Sequence, residues 1–352
     1  MRAEAIQSDP VAFFQSTREL FERADHASGL SVDRWYTIAG QSLRLRFAGP
    51  QLVSLLSPAL EHLRTAPNAR PALTVCLWDV ASTYPRVPAP SWQRHECIIR
   101  AAAQGSATRR IRSHFDVGTG TLALLDSAEG LALYCVRDWG DLPTYEWGAP
   151  MKVLLQWWLR DRGAQLVHAA AVGRLDGGVL LVGKSGSGKS TAALSCLGSA
   201  LGYLGDDHCV LTGQPSWYAH SVYNSARLHR QDLTRFPQLA SLPHIPDPRG
   251  IDKVLWFLHQ HRREDIKDIA VGFPVRAVLV PQITPGPETR LDRISPAAAL
   301  MALAPSTIFQ LRADGEETLR TLAQCVRQVP CYRLRLGSRL VDIPQAIAGC
   351  LQ

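Results

Sequence analysis

The stretch "LVGKSGSGKSTAAL", residues 181–194, decides the fold of this chain. Gly183, Gly188, Lys189 and Ser190 complete the pattern G-x-x-x-x-G-K-[ST]. An apolar run, GGVLLVG (177–183), precedes it, and a helix-forming run, STAALSCLGSALG (190–202), follows it. Strand, glycine loop and helix in that order let consecutive backbone N–H groups converge on phosphate oxygens, and the helix N-terminus adds its partial positive charge. The expected nucleotide contacts are Gly183, Ser185, Gly186, Ser187, Gly188, Lys189, Ser190 and Thr191. In that chemistry Lys189 reaches the β- and γ-phosphates of ATP, and the Ser190 hydroxyl is a ligand of Mg²⁺.

Upstream, AQLVHAAAVG (164–173) and GGVLLVG are two apolar runs joined by RLDG (174–177), which reads as a hairpin leading into the loop. Downstream, YLGDDHCVLTG (203–213) reads as a returning strand that carries Asp206 and Asp207. If GYLG (202–205) lies parallel beside GVLLV (178–182), its C-terminal end arrives at the phosphate loop, because ligands of open α/β sheets bind outside the carboxyl ends of the strands. Paired carboxylates there have two jobs. One can hold a metal ion and the other accept a proton, since neighbouring like charges drive their pKa values apart. A plain polar turn is the alternative. Two later segments, VYNSARLHR (222–230) and RGIDKVLW (249–256), offer Arg227 and Lys253 as cations over a γ-phosphate, with a solvated charged face as the alternative for each.

The combination VHAAAV, GGVLLVGKSGSGKSTAALSCL and YLGDDHCVL, within residues 163–212, resembles the catalytic core of the HPr kinase/phosphorylases. These are bacterial serine kinases whose fold is similar to that of phosphoenolpyruvate carboxykinase. The resemblance implies an α/β P-loop kinase core. It implies Asp206 as proton acceptor, Asp207 beside the metal with Ser190, and an active-site place for His168. Without the resemblance, His168 reads as a satisfied strand residue. The family's Glu-Ile-Arg-Gly-type segment and its N-terminal domain have no counterpart here, so the expected activity is kinase without efficient phosphorolysis and with an acceptor other than HPr. The organisation and the ending VPCYRLRLG (329–337) are similar to HPr-kinase-like proteins associated with ribosomally made, modified peptides, including kinases that phosphorylate the C-terminal Ser of lasso-peptide precursors.

The rest of the chain divides near residue 150. Residues 1–150 read as a smaller, mainly β domain with some helix, of unassigned role, and 151–352 as the catalytic domain. The first contains WYTIAGQSLRLRF (35–47) as a strand pair turning at Ala-Gly, PQLVSLLSPALEHL (50–63) as a short helix, and ALTVCLWDV, ECIIRAAAQG, TGTLALLDS and GLALYCVRDW as strands, interrupted by the Pro-rich YPRVPAPSW. Its His62 and His95 are isolated in sequence and read as satisfied structural residues. APMKVLLQWWLRDRG (149–163) reads as an amphipathic helix ended by Gly163. Beyond residue 275 come a core strand in RAVLVPQIT, helices in SPAAALMALAPS and GEETLRTLAQCVRQV, a strand in CYRLRLG and a last helix in DIPQAIAGCL. HQHRRED (259–265) reads as solvated surface, because His at i and i+2 do not share a helix face.

With 352 residues, 46% apolar and 20% charged, the chain has the composition of a folded two-domain protein. The charged N-terminus and the lack of an 18-residue apolar run point to a cytoplasmic protein with no membrane partner. Its net charge of +7 suits acidic partners, but there is no Lys/Arg run or nucleic-acid-binding motif, so no nucleic acid is expected. Eight cysteines without a CxxC pair read as reduced, buried apolar residues. The expected partner is a peptide or small protein, a precursor peptide among the candidates, and a homo-oligomer stays open. A small-molecule kinase and a non-catalytic nucleotide sensor are the competing functions. The sensor has no use for a proton acceptor, which counts against it.

Overall fold

The computed structural model describes residues 9–83, 110–213, 215–260, 269–311 and 315–351. His95, Cys97, the segments 84–92 and 96–105, and most of HQHRRED lie outside the described residues. The chain forms two compact units, one of Met1–Pro58 and Arg64–Asp161, the other of Ala59–Leu63 and Arg162–Gln352. The division therefore falls later than the residue-150 boundary read from sequence, and the second unit is not contiguous. Both units mix helices with sheets, so the protein is of α/β type with mixed sheets.

In the first unit, strands β1 (Ser31–Ile38), β2 (Gln41–Ala48), β3 (Leu73–Asp79), β4 (Ile111–Asp116), β5 (Thr121–Asp126) and β6 (Leu131–Val136) form a sheet of order β1-β2-β3-β6-β5-β4. Its middle pairs, β2 with β3 and β3 with β6, are parallel and the others antiparallel. The β1–β2 turn places Ala39 and Gly40 at φ 48° and 76°, the left-handed pair that a two-residue hairpin loop requires. The helix Pro10–Ser28 starts at Asp9, whose side chain accepts from the Val11 N–H, and stops at Gly29 in the left-handed conformation. Its Phe13, Phe14, Phe21 and Ala24 recur at helical spacing and pack with Cys76, Trp78, Leu122 and Leu133 of the sheet. β4 has no counterpart in the sequence reading.

The second unit is built on β7 (Ala164–Val167), β8 (Ala170–Arg174), β9 (Gly177–Leu181), β10 (Gly202–Gly205), β11 (Cys209–Thr212), β12 (Tyr218–His220), β13 (Ser225–His229), β14 (Ile245–Pro246), β15 (Lys253–Phe257), β16 (Gly272–Ile283), β17 (Arg290–Arg293) and β18 (Cys331–Leu336). Nine described strands form one branched sheet, β10-β8-β9-β16-β12-β11-β7 with β18 and β17 joined at β16, and β13, β15 and β14 form a small second one. β8 and β9 are the expected hairpin, with Arg174 opposite Gly177. β9 runs parallel to β16, and β16 parallel to β18.

Alternation along β9 separates two cores. Val179 and Leu181 join one with Ala192, Ala193 and Leu194 of the helix Lys189–Ser195, and with Ile343 and Ile347 of the helix Asp342–Gly349. Leu180 and Val182 join the other with Ala299 and Leu303 of the helix Pro296–Leu311 and Leu322, Cys325 and Val326 of the helix Gly315–Gln328. A strand apolar on both sides is what a central strand covered on both faces requires.

Three expectations change. AQLVHAAAVG is two strands, because β7 pairs with β11 while β8 pairs with β9 and β10, and the chain steps from one partner set to the other at His168 and Ala169. YLGDDHCVLTG is likewise two strands, broken at Asp206-Asp207-His208. The helix after the glycine loop ends at Ser195, well short of Gly202. The described cysteines are all free, and burial pushes the thiols of Cys76 and Cys196 up to about 12. No helix among the described residues is long and apolar enough to cross a membrane.

Candidate phosphate-binding site

β9 delivers the chain to the loop. The Val182 N–H still donates to the Leu279 carbonyl of β16 (2.9 Å), and after it the backbone turns away from the sheet. Gly183, Gly186 and Gly188 take φ of 149°, 77° and 102°, all in the region that L side chains avoid. Gly188 is required twice over. Besides its φ, a Cβ there would run into the buried Leu336 side chain. Lys184, Ser185 and Gly186 are exposed at the tip, while Ser187, Gly188, Ser190 and Thr191 are half-buried.

Lys189, the first helical residue, is buried, and its Nζ donates to the Gly183 carbonyl (2.7 Å) and, at 3.3 Å, to that of Lys184. Its ammonium thus closes the loop onto itself. Burial lowers the Lys189 pKa, the charges of Asp206 and Asp207 oppose that, and the charge of Lys253 adds to it. Lys253 opens β15, so the structure brings this sequence candidate within electrostatic reach of Lys189.

The carboxylates occupy the break between β10 and β11. β10 does not lie against β9, as the sequence suggested. It pairs antiparallel with β8, Tyr203 facing Val172, and β8 is itself antiparallel to β9. Two reversals restore the direction, so the C-terminal ends of β9 and β10 still share one edge of the sheet. The pair is unequal. Asp206 is 2% exposed, whereas the Asp207 side chain is 37% exposed.

Burial first, and then the charge of Asp207, lift the Asp206 carboxyl to about 7, against the opposing Ser190 hydroxyl, the Arg227 backbone N–H and the Lys189 charge. Asp206 Oδ2 accepts a long bond from the Arg227 N–H (3.4 Å), and its Oδ1 has no hydrogen-bond partner. Burial works on Asp207 in the same direction, but His168 and the charges of His208 and Arg227 outweigh it and hold this carboxyl well below the usual range.

His168 lies in the step between β7 and β8 rather than on a strand. Its backbone N–H donates to Thr307 Oγ1 (3.1 Å), and its Nε2 stands 3.8 Å from Asp207 Oδ1. His208 was missed by sequence reasoning. Its ring centroid is 5.5 Å from that of His168 and 6.1 Å from that of Tyr223, so two buried imidazoles stand by Asp207. Its only signal was its place next to the acidic pair. The backbone N–H of Arg227 had none, since any residue type supplies one.

The donor set suits a triphosphate with its metal. Ser187 Oγ and Asp206 Oδ1 are buried without a hydrogen-bond partner, and the buried ammonium of Lys189 is satisfied only by loop carbonyls. Among the described residues no group of three or more His, Cys, Asp or Glu forms a metal cage. Mg²⁺ keeps several waters and takes one or two protein ligands beside substrate phosphates, which Ser190 and Asp207 could provide. Comparison with protein-family models and with curated proteins finds no match for the chain.

Proposed function

We propose that the second unit is a P-loop phosphotransferase of the HPr kinase-like type, which moves the γ-phosphoryl of ATP to a hydroxyl acceptor, a Ser of a peptide or small protein. The observation that carries this is the meeting of a buried lysine in a glycine-rich loop with two adjacent carboxyls in unequal surroundings, Asp206 buried and Asp207 part-exposed beside His168. A nucleotide sensor has no use for that difference.

Phosphoryl transfer asks the protein for positioning and charge. The N–H groups of the loop and the Lys189 ammonium hold the β- and γ-phosphates. When bound with Ser190 and Asp207, Mg²⁺ would neutralise charge between those phosphates. Asp206 receives the acceptor's proton, and a carboxyl whose pKa burial and a neighbouring charge raise is matched to that task. Lys253, whose charge acts on Lys189, would counter charge that develops on the transferred group. His168 and His208 keep Asp207 ionised, so the two carboxyls do not exchange roles.

Single-turnover transfer from labelled ATP to acidic Ser-ended peptides tests the proposal. Asp206→Asn should bind ATP–Mg²⁺ and lose about 10²- to 10⁴-fold in transfer. Near-native transfer by that variant removes Asp206 as the base. Transfer to hydroxylated small molecules but to no peptide would move the acceptor to a small-molecule class.

A further inference from the structure

The second unit includes one short segment from far upstream, Ala59–Leu63, and this segment is wired to both walls that hold Asp206. His62 is the centre of the wiring. Its Nε2 is 2.7 Å from Ser221 Oγ, and Ser221 Oγ donates to the Leu204 carbonyl (2.8 Å), two residues before Asp206 on β10. Its Nδ1 is 3.3 Å from Asn224 Nδ2. Asn224 also binds Ala59, its N–H and its Nδ2 both donating to the Ala59 carbonyl at 2.9 Å. Three residues on from Asn224 is Arg227, whose N–H reaches Asp206 Oδ2.

Donor and acceptor logic gives this network one protonation pattern. Ser221 spends its single proton on Leu204, so it can only accept from the imidazole, and His62 must carry its proton on Nε2. Nδ1 is then an acceptor, and the Asn224 amide meets it with an N–H. A neutral imidazole has one donor and one acceptor, and both are used. Asn224 joins a third element as well, its carbonyl accepting from Leu258 N–H (3.1 Å) and its Oδ1 from His259 N–H (3.4 Å).

We propose that His62 is a positioning residue of the phosphate-binding site: through Ser221 to Leu204 and through Asn224 to Arg227, it fixes the two backbone segments that converge on Asp206. The proposal rests on the kinase reading only for what the fixed carboxyl is used for; the fixing itself is independent of activity.

The full-length chain carrying His62→Leu tests it, with His62→Gln as the conservative partner, because a glutamine amide can still donate to Ser221. Hydrogen exchange is read at the amides of Asn224 and Arg227, with the amide of Ala192, bonded to Gly188 within the loop helix, as internal reference. His62→Leu should speed exchange at Asn224 and Arg227 about tenfold or more and leave Ala192 unchanged, as local rather than global opening does. His62→Gln should fall between the two. In single-turnover assays His62→Leu should lose about tenfold or more in transfer at saturating ATP–Mg²⁺ with unchanged ATP affinity, and His62→Gln should recover much of it.

Unchanged exchange at both amides, or equal acceleration at all three, overturns the proposal, as does full transfer activity in His62→Leu. If His62→Leu does not fold, His62→Gln alone decides by the same local-against-reference comparison. Selective acceleration in a protein whose wild type transfers phosphate to no acceptor leaves the positioning intact and sinks the kinase reading instead.

Discussion

Replacing Asp206 by Asn should change how stability depends on pH, whether or not the protein turns over any substrate. The Asp206 carboxyl, ordinarily near 3.8, is raised to about 7 because burial and the Asp207 charge disfavour its ionised form. Between those two values the unfolded chain has lost this proton while the native protein keeps it. Stability is therefore favoured at low pH and declines as pH rises through the interval, by at most about 1.4 kcal/mol per pH unit, the limit for one proton. Asp207 has the opposite sign: its depressed pKa contributes stability above about pH 4 that is lost on acidification.

The amide that Asp206→Asn introduces cannot ionise, so the first contribution disappears and leaves the Asp207 contribution in place. Urea unfolding of the nucleotide-free wild type and Asp206→Asn at pH 5, 6, 7 and 8 gives the difference. Subtraction cancels the first unit, which the substitution does not touch, along with any constant cost of fitting an amide beside Arg227. The variant should gain on the wild type at each step from pH 5 to 7 and level off near pH 8. Parallel profiles for the two proteins would refute the tuning of the pair.

Lys189→Ala should leave the chain folded but abolish the rise in melting temperature on adding ATP–Mg²⁺, which for the wild type corresponds to about 2.7 kcal/mol at ligand a hundredfold above Kd; differential scanning fluorimetry reads it. Gly188→Ala should both destabilise the chain and prevent nucleotide binding, because its Cβ would meet Leu336 and its φ of 102° is strained for alanine; thermal unfolding with and without ATP checks both effects. Asp207→Asn should raise the Mg²⁺ concentration needed for half-maximal transfer, whereas Asp206→Asn should lower the rate without moving that midpoint, as a Mg²⁺ titration in single turnover would show.

Local chemistry made part of this protein legible from the sequence. A phosphate loop is built from contiguous residues, and the left-handed φ at Gly183, Gly186 and Gly188 is a property of the residue type, so strand, loop and helix could be placed before any contact was known. The β8–β9 hairpin was equally readable, because its turn and its alternation are both short-range. Pairing partners were not. The period-2 pattern of GYLG says that it is a buried strand but does not name its neighbour, and the assumed neighbour β9 turned out to be β8.

The sharpest division falls on Asp206 and Asp207. They are chemically identical neighbours, and the sequence determined only that two carboxyls stand after a strand, downstream of the loop. The tertiary structure decided that they differ, because burial and charge come from what packs around each: Asp206 is desolvated beside the charge of Asp207, while His168, His208 and Arg227, from other segments or the far side of the strand break, act on Asp207. His62 belongs to the same class of fact. Alone in sequence it reads as an isolated structural residue, and only the fold carries it to Ser221 and Asn224, 159 and 162 positions away, where its two ring nitrogens find their partners.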